Sequence, residues 1–357
     1  MSPKELKLSF MQKITITIIL LISISLTVYA KAPVYANEKQ NIKPQRVIRT
    51  CCSFGSEVQF FAIPGLKLTE ITSLDNIGPH HYLGDSREGN GIIYTLRGGF
   101  IDMGHLRDQI DWMAYLYNQM QQSRSIGNLS LELGYEGGGK ILIVNLEPEL
   151  TNTDIIHLAG KIAYDLSVWH EIATWFGAST IPFIPERYSS FSVEDAYSNL
   201  LGVTIGVKAI ESELPFEEAV TKLIAQTLTD LNAVTSESET FMAMEAVRNI
   251  WWTRNKRLPS GKILLRRQLN VYPCLSPWLV PGWAKPNQEP LELNVPEYAE
   301  NKNLLTNYYT LEFRLNHKFP FKKMFPERKE RMITQNDFDS LLVQIASELT
   351  KKDSQFQ

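Results

Sequence analysis

From Pro148 to Gly177 the chain carries one unbroken helix-length pattern, and the rest has to pack around it. Ile155, Leu158, Ile162, Leu166, Trp169, Ala173 and Phe176 recur at steps of three and four, the mark of an amphipathic helix with a wide apolar face. Pro148 ends the segment before it, Thr151 or Thr153 can cap the first turn, and Gly177 stands where a left-handed residue closes a helix. The spacing predicts a helix over about 154–176. His170 and Glu171 ride near its end. After a short Pro-rich turn, SVEDAYSNLLG opens the next helix with Glu194 and Asp195.

A second periodic stretch precedes it. Leu106, Ile110, Met113, Leu116, Tyr117 and Met120 predict a helix over 102–122, with Asp102 able to cap it and His105 one step of three from both Asp102 and Asp108. Between the helices, LSLELGY and KILIVNL read as a hairpin turned at residues 136–139. Those glycines lead into a strand, whereas a phosphate cradle leads into a helix N-terminus, so they are turn glycines. GIIYTL and residues 308–315 read as strands, and residues 215–232, 237–254 and 336–349 as helices. The stretch 69–90 is loop-like, with the His80-His81 pair expected at its surface, and 273–290 is a Pro- and Trp-rich covering loop. Strands pair locally and no βαβ alternation appears. The expected class is therefore α+β, a predominantly helical single domain with short antiparallel strands.

At 357 residues, 44% of them hydrophobic, the chain can bury a large core, and a formal net charge of −3 offers no basic surface for nucleic acid. Lys4, Lys7 and Lys13 precede an apolar run from Ile14 to Ala30, and residues 28–30 and 34–36 both suit signal cleavage. This predicts a signal peptide over 1–36, a linker over 37–50 and a globular domain over 51–350. The mature chain would be periplasmic or extracellular, touching a membrane only if the apolar run stays uncleaved. In such a compartment Cys274 is expected to pair with Cys51 or Cys52; the alternative is that one of these thiols is a nucleophile.

The chemistry-bearing residues sit in the middle of the chain. HEIAT, at 170–174, resembles the zincin pattern H-E-x-x-H, in which two histidines hold zinc and the glutamate is the base. Thr174 stands where the second histidine would be, so His105 is the replacement ligand. Glu194, 24 residues after His170, falls where a gluzincin places its third ligand, although Ser198 then stands where such enzymes carry Asp. The expected zinc set is His105, His170 and Glu194, with Glu171 as base and Asp102, Asp108 and Asp195 in support. The alternative reading makes the acids helix caps, since Ser192-x-x-Asp195 approximates a capping box.

RTCCSFG, RGGFIDMGHLRDQIDW, DLSVWHEIATWFG and FSVEDAYSNLLG together resemble a family of exported bacterial proteins, domain of unknown function 4056, over roughly 49–283. The resemblance implies a single domain and an envelope location, and carries no activity with it. Three functions stay open: an envelope zinc hydrolase of an amide or ester bond, acting on a small substrate or an envelope polymer; a non-enzymatic binder of glycan, peptide or protein through the aromatic loop; and a Cys-His hydrolase.

Overall fold

The computed structural model describes residues 38–45, 49, 54, 71–178, 186–254, 262–283, 288–317 and 319–353. The signal segment, Cys51 and Cys52 lie outside them. The chain is α+β, as its pattern predicts. Its helices are α1 (Met103–Ser123), α2 (Asn152–Trp175), α3 (Asp195–Glu211), α4 (Phe216–Asp230), α5 (Glu237–Ala246), α6 (Phe321–Met324) and α7 (Phe338–Asp353). Strands β3 (Asn128–Tyr135), β4 (Gly138–Asn145), β9 (Tyr309–Leu315) and β10 (Met332–Thr334) form an antiparallel sheet in the order β10-β9-β4-β3. Three two-stranded ribbons complete the set: β1 (Ile92–Thr95) with β2 (Gly99–Asp102), β5 (Trp252–Arg254) with β6 (Lys262–Leu264), and β7 (Cys274–Leu275) with β8 (Leu293–Asn294). Among the described residues no helix is long and apolar enough to cross a membrane.

Local chemistry sets the long helices. Asp102 caps α1, its Oδ1 accepting from the N–H groups of Gly104 at 2.7 Å and His105 at 3.1 Å. Thr151 and Asp154 form a reciprocal capping box at the start of α2. Helix α3 begins at Asp195, whose Oδ2 reaches back to the N–H of Ser192 at 3.1 Å. Helices α1, α2 and α3 pack on one another, and α2 lies on the sheet through Trp169, fully buried and stacked on Phe313 with centroids 4.2 Å apart. Close approach of α1 to α3 depends on glycine. A Cβ on Gly202 would stand 2.3 Å from the Leu106 carbonyl oxygen, and one on Gly206 2.6 Å from Met113 Sδ.

Several expectations are corrected. The described part of the 37–50 segment is docked: Asn41 Oδ1 accepts from Asn118 Nδ2 at 2.9 Å, and Arg49 is buried. His80 is also buried, its Nε2 lying 3.1 Å from Asp111 Oδ1, because the 71–90 loop folds inward around Arg49 and Arg107. Helix α5 stops at Ala246, well short of 254, and Asn249 with φ 62 turns the chain into β5. Cys274 carries a free thiol 3.9 Å from Glu292 Oε2, and its expected partners, Cys51 and Cys52, lie outside the described residues. The aromatic loop spends Trp278 and Trp283 on a second core around Tyr94, Phe100 and Trp251.

Candidate metal centre

Helices α1 and α2 bring His105 and His170 together, with ring centroids 6.5 Å apart. Among the described residues, His105, His170 and Glu171 form a group whose ligand atoms all lie within 4.8 Å of one another. Two buried carboxylates flank Nδ1 of His105: Asp102 Oδ2 at 3.2 Å and Asp195 Oδ1 at 3.5 Å. Nδ1 of His170 meets Glu136 Oε1 at 2.7 Å. An imidazole whose Nδ1 is held by a carboxylate presents Nε2 to a metal, with its tautomer and ring orientation set. Glu171 is oriented in the same way, Oε2 accepting from the N–H of Phe191 at 2.5 Å.

Glu194, expected as the third ligand, is not in this group. Its Oε2 accepts from Ser192 Oγ at 2.6 Å, two residues away at the start of α3, and Glu171 takes the place expected for it. Asp108, expected to hold His105, turns instead to Arg49, 2.8 Å from Nη1. Of the supporting acids, Asp102 and Asp195 meet the imidazole. The zincin likeness gains nothing here: Thr174 Oγ1 donates to the carbonyls of His170 at 2.9 Å and Glu171 at 3.0 Å, a backbone role.

The electrostatics are those of a carboxylate-rich interior. Burial, then the charges of Glu171, Glu194 and Asp102, push the Asp195 carboxyl far above the usual range, against the pull of His105. Burial raises Asp108 to about 6 although Arg49 opposes the shift. A cavity of ≈ 40 Å³ opens beside the two histidines, lined also by Asp108, Glu136 and Lys140. The His170 side chain is 16% exposed, so solvent reaches the site.

Glu136 and Lys140 are among the cavity residues that sequence reasoning passed over, with Gln109 and Asn199. Glu136 sits in the β3–β4 turn, buried, with Lys140 Nζ on its other oxygen at 2.8 Å. Alternation in β4 gave the signal, because Lys140 falls on the same inward face as Leu142 and Val144. A lysine there needs a buried acid, and Glu136 is four residues away.

No curated protein and no solved structure matches the chain. The family model described as "Protein of unknown function (DUF4056)" matches residues 39–281, most of the chain, and the protein belongs to that family.

Proposed function

We propose that the protein is a metal-dependent hydrolase of the cell envelope, with zinc held by His105, His170 and Glu171. One observation carries this reading: two histidines from different helices meet beside a cavity, the Nδ1 of His170 bonded to Glu136 at 2.7 Å and the Nδ1 of His105 3.2 Å from Asp102 Oδ2. Two imidazoles and one carboxylate make a catalytic zinc set, which leaves a position for a water of lowered pKa. Export rests on the N-terminal lysines and apolar run.

The protein's own groups divide the work. Glu136 orients His170, Asp102 and Asp195 orient His105, and the Phe191 N–H fixes one oxygen of Glu171. With Glu171 committed as a ligand, Asp108 is the cavity carboxylate suited to accept a proton from water, since its pKa of about 6 leaves it ionised at neutral pH. In the overall reaction the water oxygen bonds to the carbonyl carbon, the bond to the leaving amine or alcohol breaks, and a proton passes to that group.

The test is metal content of the mature protein purified without an affinity tag, beside His105→Ala and His170→Ala variants. Near-stoichiometric zinc in the parent, lost in both variants, is expected. Folded parent protein that takes up no zinc on reconstitution overturns the proposal.

A further inference from the structure

Two carboxamides share the cavity with the histidines. Gln109 lies one helical turn after His105 on α1, and Asn199 one turn after Asp195 on α3. Gln109 is 7% and Asn199 1% exposed. Among the described residues, Gln109 Oε1 and Asn199 Oδ1 find no hydrogen-bond partner although both atoms are shut off from solvent. A buried acceptor left unpaired bears its full desolvation cost, so folded proteins hold few of them. Here two line one cavity beside a candidate metal centre. The Gln109 Cβ packs close to Gly202, where an added Cβ would stand 3.0 Å from it.

We infer that Gln109 and Asn199 are the specificity residues of this site and that they select an amide over an ester or an anion, an inference that rests on the hydrolase reading above. The wall they form is neutral. Lys140 is the cation of the cavity, and it is committed to Glu136 at 2.8 Å, while Asp108 and Glu136 add negative charge. A phosphate or carboxylate ligand would meet repulsion there. A small rotation of either carboxamide toward the cavity would bring its orphaned oxygen to an amide N–H, which an ester lacks. The volume agrees. A cavity of ≈ 40 Å³ admits a small planar group such as one amide. The bulk of the substrate stays outside the mouth.

The experiment uses zinc-loaded mature protein and two probes, acetohydroxamic acid and N-methylacetohydroxamic acid, which chelate alike but differ in the N–H. Affinities are measured by calorimetric titration for the parent, Gln109→Met and Asn199→Leu, with zinc content determined for each. The parent is expected to prefer the N–H probe by ~10-fold or more, the scale of a hydrogen bond to a buried group. Each variant, still loaded with zinc, is expected to lose most of that preference. Parent protein that binds both probes equally overturns the inference, as does a preference undiminished in folded variants. Protein that takes up no zinc overturns the hydrolase reading itself, so the two failures are told apart by the metal assay.

Discussion

Glu136 and His170, thirty-four residues apart, are joined by a 2.7 Å contact between Oε1 and Nδ1 that ties the β3–β4 turn to the last turn of α2. The same turn receives Trp169, whose Nε1 donates to the Glu136 carbonyl at 3.1 Å. The imidazole is thereby oriented by a sheet rather than by its own helix. Removing such an outer carboxylate costs zinc sites roughly 10- to 100-fold in affinity. Glu136→Gln is therefore expected to raise the zinc dissociation constant by about that factor while the fold survives, as read by chelator competition. Because the Gln leaves Lys140 buried without its acid, the Glu136→Gln/Lys140→Met pair serves as the control; equal zinc affinity in all three proteins would remove Glu136 from the site.

Glu171 separates two mechanisms cleanly. As a ligand, its replacement in Glu171→Gln weakens zinc binding; as a base, it would spare the metal and abolish turnover. Its carboxylate lies within 4.8 Å of both imidazoles' ligand atoms, so under the proposed ligand role the variant is expected to come off purification depleted of zinc. Asp108→Asn is expected to keep the metal and lose activity by 10²-fold or more, the typical contribution of a positioned base. A zinc-replete Glu171→Gln variant without activity would return the base role to Glu171.

Sequence periodicity showed the elements but not the partners across them. The Asp102 cap, a threonine cap at the start of α2 and the β3–β4 hairpin were legible because each depends on residues within a few positions. Glu136, Gln109 and Asn199 were not, because their roles arise only when α1, α3 and the hairpin turn converge on one cavity. Glu194 was misplaced for the opposite reason. Its spacing suited a known motif, yet the short turn before α3 gives its carboxylate to Ser192. His80 and Arg49 read as loop and linker since nothing local says that a charged segment will be buried against three acids, Glu88, Asp108 and Asp111, beside Arg107.

Arg49 holds that cluster. It donates to both oxygens of Glu88, at 2.6 and 2.8 Å, and to Asp108 at 2.8 Å and Asp111 at 2.9 Å. Breaking a buried ion pair from one side costs about 3–5 kcal/mol, because the partners stay buried and charged. Arg49→Met is expected to lower unfolding free energy by about that much in a denaturant titration. A loss below about 1 kcal/mol would mean the acids are already neutral in the fold.

The same cluster predicts an acid limb. Burial alone would raise Glu88 and Asp111, but Arg49 around the first, and His80 and Arg49 around the second, hold them below their ordinary values of 4.5 and 3.8. A carboxyl depressed in the fold stabilises it above the unfolded pKa, and that stability is lost as pH falls through the folded value. Asp108 works the other way: raised from 3.8 to about 6, it favours the fold when protonated, and that share is lost as pH rises through 6. Stability of the parent is thus expected to fall below about pH 4 and to ease downward from pH 4 to 6. In Asp108→Asn the second slope should vanish and the first persist.

Gly202 joins the fold to the site. A methyl there would stand 2.3 Å from a backbone oxygen of α1 and 3.0 Å from Gln109 Cβ, and backbone cannot swing aside as a side chain can. Helices α1 and α3 would have to part, carrying His105 away from Asp195 and shifting Gln109 against Asn199. Overpacking of this kind costs about 1–3 kcal/mol. Gly202→Ala is expected to lose that much stability and also to bind zinc more weakly than the parent at a temperature where both are folded. Gly139→Ala, where a methyl meets nothing within 4 Å, supplies the comparison and should change neither property. If Gly202→Ala melts early yet binds zinc with parental affinity, the α1–α3 crossing supports the fold without setting the metal geometry.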